Sequence, residues 1–132
     1  MSGTLRAMAA LLPAAAVAAP ADTAAVLQAA QAAVQHDLQR PLRLQPGTVH
    51  VAGGWGFVLA ELRAPGGGTL DLAGTRLADA AREGFASRQV ALLLKQRSGR
   101  WQVVEQRIGV TDVAWEGWAE RHGAPPSLFV LP

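Results

Sequence analysis

Cysteine is absent from the 132 residues. With it go disulfides, thiol nucleophiles, a lipoprotein anchor and every thiolate metal site. Charge of one sign is also missing: 12 basic residues, only one of them lysine, face 10 acidic ones for a formal net charge of +2. There is no basic stripe, RNA-recognition motif or zinc-finger spacing, so nucleic acid is not an expected partner. No G-x-S-x-G occurs, and Ser87, Ser98 and Ser127 fall in turns or the tail, which argues against a Ser-His-Asp hydrolase. His36, His50 and His122 share no ligand spacing, so neither a metal nor another cofactor is expected. The run Pro65-Gly66-Gly67-Gly68 is followed by no Lys-Ser or Lys-Thr and is a turn, not a phosphate cradle.

What is present begins with a leader-like segment. One positive charge, Arg6, precedes thirteen apolar residues that end in small ones, and Ala16-Val17-Ala18 fits an A-x-A cleavage pattern. Residues 1–18 are therefore read as a signal peptide and residues 19–132 as a single mature domain. Pro13 argues against a helix of the mature protein, since an interior proline costs about 3 kcal/mol. Thirteen apolar residues fall short of the roughly 20 needed to span a bilayer, so no stable membrane anchor is expected. Losing Arg6 with the leader leaves 11 basic residues against 10 acidic. The expected location is periplasmic or secreted.

In the mature chain the strongest signal is a hairpin from Gln89 to Ile108, two β-rich runs joined at Ser98-Gly99. A uniform register pairs Leu94 with Val103, Leu92 with Glu105 and Val90 with Arg107. Upstream, Asp22 or Thr23 caps a helix to Leu38 with an apolar stripe of Leu27, Ala30, Val34 and Leu38. Gln28, Gln31, Gln35 and Asp37 form its wet side, His36 is a solvated residue near its end, and Pro41 stops it. Leu42–Pro46 reads as a connector, Thr48–Val51 as a first strand and Trp55–Leu62 as a second. Trp55, Phe57, Leu59 and Glu61 share one face of that second strand, and Gly56 leaves room for a bulge or a close neighbour. Thr69–Ser87 is an ordered excursion anchored by Leu70, Leu72 and Leu77, with a helical turn over Leu77–Glu83. After Gly109, Thr111 or Asp112 caps a short helix to Arg121 that carries Trp115 and Trp118. Gly123 closes it, and Leu128–Leu131 form an apolar tether.

This order predicts an α+β fold: an N-terminal helix packed on a curved antiparallel sheet of about four strands, plus a short C-terminal helix. In layout it resembles cystatin-like and NTF2-like domains, where a curved sheet wraps a helix. The runs Gly54-Trp55-Gly56-Phe57, Ala91-Leu92-Leu93, Arg100-Trp101-Gln102-Val103-Val104-Glu105 and Thr111-Asp112-Val113-Ala114-Trp115 are similar to those of small uncharacterised exported bacterial proteins. That resemblance implies no known activity and transfers no site.

Two constellations carry potential function. Glu61 and Glu105, the only carboxylates in predicted strands, are expected on one face with Trp55, Phe57, Trp101 and Arg107. Carboxylates among aromatics suit a sugar or a cationic ligand; two solvated glutamates on an outer face are the simpler alternative. Trp115 and Trp118 form either an exposed platform for a partner protein or glycan, or buried anchors. The expected function is an exported small binding or interaction module without catalysis, with an unidentified protein or small-molecule partner in the cell envelope. The alternative is a pocketed small-ligand carrier or enzyme using Glu61, Glu105 and Arg107.

Overall fold

The computed structural model describes residues 20–84 and 87–132. The expected signal peptide and its cleavage site lie outside the described residues.

Helix α1, Pro20–Leu38, crosses one face of the sheet. Its buried stripe is Val26, Ala30, Val34 and Leu38, spaced four apart; Leu27, expected to lead it, packs at its flank. Gly56 explains the rotation. A β-carbon there would stand 2.9 Å from Val26 Cγ1, so the glycine is the notch into which the helix settles.

The sheet has four strands in sequence order, all antiparallel: β1 Arg43–Ala52, β2 Trp55–Arg63, β3 Gln89–Arg97 and β4 Arg100–Ile108. β1 starts earlier than expected, because the supposed connector Leu42–Pro46 largely belongs to it. The proline is tolerated because β1 is an edge strand, where a missing N–H costs no ladder bond. The outward N–H groups at its start are met from α1: Gln35 Oε1 accepts from Leu42 N, just before the strand, and Gln31 Oε1 from Leu44 N, both at 3.1 Å. Two glutamines expected on a wet face thus cover a strand edge.

Both edge strands carry a bulge, and each changes which side chains face α1. In β1, Pro46 pairs with Ala60 and Thr48 with Leu59, leaving Gly47 as the extra residue. Leu44 and Val49, five apart and so of opposite phase in a regular strand, both pack on the α1 side. In β4, Val103 pairs with Leu94 but Glu105 pairs with Leu93, leaving Val104 as the extra residue. The uniform hairpin register therefore holds only from the turn to Val103. Beyond it Leu92 faces Gln106 and Val90 faces Ile108, not Glu105 and Arg107.

The core under α1 joins Val58, Ala60 and Leu62 of β2 to Val90, Leu92 and Leu94 of β3. The excursion closes its end with Leu70, Leu72 and Leu77, and contains the short helix α2, Ala78–Arg82. Arg40 donates to Asp71 O and Ala73 O, and Arg88 Nε donates to Leu70 O. Asp37 is the polar tie of this side: Arg76 binds it in bidentate fashion at 2.7 and 3.0 Å, and Gln106 of β4 donates to it at 2.9 Å. The guanidinium hydrogen-bonded to Asp37 holds its carboxyl below the ordinary value of 3.8, against burial, which pushes the other way.

The opposite face is covered by the C-terminal segment. Helix α3 is only Trp118–His122, shorter than the expected span from Thr111 or Asp112, because Gly117 at φ 84° is left-handed and breaks it from the turns before. A 3₁₀ turn, Pro126–Phe129, follows. Trp118 and Leu128 are buried with Phe57, Ala91 and Leu93. Phe57 is the hub of this layer, with ring centroids 5.8 Å from Trp115, 6.4 Å from Trp118 and 4.8 Å from Phe129. His50 Nδ1 lies 2.8 Å from Leu128 O and ties the tether to β1.

Candidate binding cleft

The β4 bulge divides the residues expected on one face. Trp55, Glu61, Glu105 and Arg107 lie on the face covered by the C-terminal segment, whereas Trp101 points to the α1 side with Val103. Trp55 is buried, with Lys95 Nζ 4.8 Å from its ring centroid. The two glutamates do not converge. Glu61 sits level with Gln89 and Glu105 level with Leu93, on strands either side of β3. Four residues along and two strand spacings across put them about 16 Å apart, too far for a carboxylate pair to work on one bond.

Glu105 has a different task. Its side chain, 13% exposed, meets His122 Nε2 at 2.6 Å, Arg121 Nε at 3.3 Å and Arg107 at 3.4 Å. It is the electrostatic dock that holds α3 on β4. Glu105 and Arg107 also rim an open groove of about 810 Å³ between α1 and β4, beside His36 and Asp37.

Glu61 lines a second, smaller cleft of about 360 Å³, with Trp115 above it and the β1 bulge at its side. Its floor has a pattern set by register. Gln45 pairs with Glu61, and Glu61 with Gln89, so one polar row crosses three adjacent strands on one face. Neighbouring strands stand about 4.8 Å apart, so the row is about 10 Å long. Thr48 and Leu59 form the next row, and Val110, fixed by its N–H to Gln89 O at 3.1 Å, closes one wall. The Gly47 bulge brings Gln45 and Thr48, three residues apart, onto this face together. Arg63 donates to Glu61 Oε2 at 2.9 Å, leaving Oε1 without a hydrogen bond among the described residues. The side chains of Gln45, Thr48 and Gln89 likewise make none among them.

Trp115 is half-buried at the cleft, while Trp118 is fully buried. The platform of two exposed tryptophans does not form, and Trp118 is an anchor. Gln45, Thr48 and Gln89 were not singled out from the sequence, because the row exists only once three strands are in register. Among the described residues no group of histidine and carboxylate side chains could hold a metal ion, and no helix is long and apolar enough to cross a membrane. No protein family, curated protein or solved structure matches this chain.

Proposed function

We propose that this chain is an exported small binding module, working in the periplasm or outside the cell. It holds a small molecule in the cleft under Trp115 without transforming it. The observation that carries this reading is the row Gln45–Glu61–Gln89 facing an aromatic wall. A concave site with an apolar side and a few convergent polar groups is the usual form of a ligand seat. An enzyme using Glu61 together with Glu105 and Arg107 is disfavoured, because Glu105 lies about 16 Å away and is engaged, with Arg107, in the α3 dock. The similarity to small exported bacterial proteins belongs to the same proposal.

Native mass spectrometry of the protein purified from the exported fraction of its own host tests both parts. The expected species starts at Ala19 and carries a small-molecule adduct that Trp115→Ala or Glu61→Gln removes. A chain retaining residues 1–18 overturns export. A bare chain whose melting temperature no compound in a broad small-molecule panel raises overturns binding in the cleft.

A further inference from the structure

Resting on that reading of the cleft, we propose that its ligand is a neutral saccharide, one sugar ring stacked on Trp115 with its hydroxyls on the Gln45–Glu61–Gln89 row. The argument is elimination on charge and polarity. An anion would face Glu61 Oε1, an acceptor to which it can donate nothing, on a carboxylate 46% exposed at its side chain and lining the cleft. A cation would need an unbalanced negative charge, but Arg63 already stands 2.9 Å from Glu61 and neutralises it. An apolar molecule would cover two carboxamides, a hydroxyl and a carboxylate oxygen without giving them partners. Each such buried group costs about 1–3 kcal/mol.

What remains is a molecule with an apolar face and a rim of groups that both donate and accept. A pyranose has that division: its C–H face packs on an indole, and its hydroxyls lie around the edge. The row supplies the matching pattern. Glu61 Oε1 accepts only, while the carboxamides of Gln45 and Gln89 on either side each donate and accept. A hydroxyl can therefore donate to Glu61 while its neighbours accept from the two amides. Leu59 and Val110 complete the apolar side, so the cleft is amphipathic in the sense the ring requires.

The test is saturation-transfer NMR on the mature chain. Three sugar probes, D-glucose, N-acetyl-D-glucosamine and maltose, are set against choline as a cation and indole as an apolar ring. Ring protons of at least one sugar are expected to receive saturation. Glu61→Gln is expected to weaken that sugar's binding about tenfold or more, since a hydrogen bond to a charged acceptor is lost. Trp115→Ala should abolish it and Trp115→Phe retain it. Transfer to choline or indole but to no sugar overturns the saccharide assignment and leaves the cleft as a seat. Sugar binding that survives Glu61→Gln with unchanged affinity, in a variant that melts like the wild type, also overturns it, because the sugar then sits elsewhere. If no probe binds, the mass of the co-purified adduct decides: a sugar mass supports the assignment and any other mass sinks it. With no probe bound and no adduct, this inference and the binding reading fall together.

Discussion

Val103 and Glu105 are two residues apart on one strand, yet they stand on opposite faces of the sheet. Val103 pairs with Leu94 and packs toward α1; Glu105 pairs with Leu93 and meets His122 on the other side. The single extra residue Val104 makes the difference. Deleting Val104 should therefore leave every other pair intact and cost about 1–2 kcal/mol for the lost half-buried side chain. Deleting Gln106 has no such outlet, since either way of absorbing it puts Glu105 or Arg107 under α1. That variant should fail to fold. Circular dichroism and amide NMR spectra of the two deletions separate the outcomes; two equally damaged proteins would refute the role given to the bulge.

The notch at Gly56 makes a second prediction. A β-carbon there would meet the branched, fully buried Val26 at 2.9 and 3.1 Å, and neither the helix nor the central strand can retreat. Gly56→Ala should destabilise by about 1–3 kcal/mol. Val26→Ala alone opens a cavity, but combined with Gly56→Ala it should recover part of the loss. Denaturant melts in a double-mutant cycle would show a favourable coupling; simple additivity would mean the two residues do not touch.

Asp37 sets an acid dependence. Its carboxyl is held below 3.8 in the folded protein, so its contribution is present above that value and is lost as pH falls through the lowered one. Arg76, 53% exposed, keeps the pair in the range of partly solvated bridges, and Asp37→Asn should cost about 1 kcal/mol near neutral pH. The melting-temperature gap between wild type and variant, about 4 °C at that cost, should close as pH is lowered below about 4. A gap that persists at low pH would assign the loss to packing.

Trp118 separates anchor from contact surface. It is fully buried, and its indole N–H has no hydrogen-bond partner among the described residues. Trp118→Ala should cost about 3–5 kcal/mol by leaving a cavity against Phe57. Trp118→Phe keeps an apolar ring and loses no hydrogen bond, so it should cost less than about 1.5 kcal/mol. Thermal melts distinguish them; an unshifted alanine variant would return Trp118 to the surface.

Much of the fold was legible locally. Alanine-rich periodicity ending at Pro41 marks α1, β-rich runs joined at Gly53-Gly54 and at Ser98-Gly99 mark the two hairpins, and Gly123 marks the end of α3. Each is a property of adjacent residues, because turn conformation and side-chain period are set within a few positions. Trp55, Phe57, Leu59 and Glu61 could be assigned to one face because β2 runs without a bulge.

Tertiary structure decided what depends on partners. Whether Val26 or Leu27 leads the buried stripe rests on Gly56, thirty residues away. Whether Trp101 shares a face with Glu105 rests on one unpaired residue, since strand period is two and a single insertion flips every side chain beyond it. The candidate site lay beyond local reading for the same reason. Gln45, Glu61 and Gln89 are each ordinary polar residues on a strand, and only the pairing of three strands aligns them beneath Trp115. The sequence alone determined the elements and their order; register, which is a relation between strands, determined the cleft.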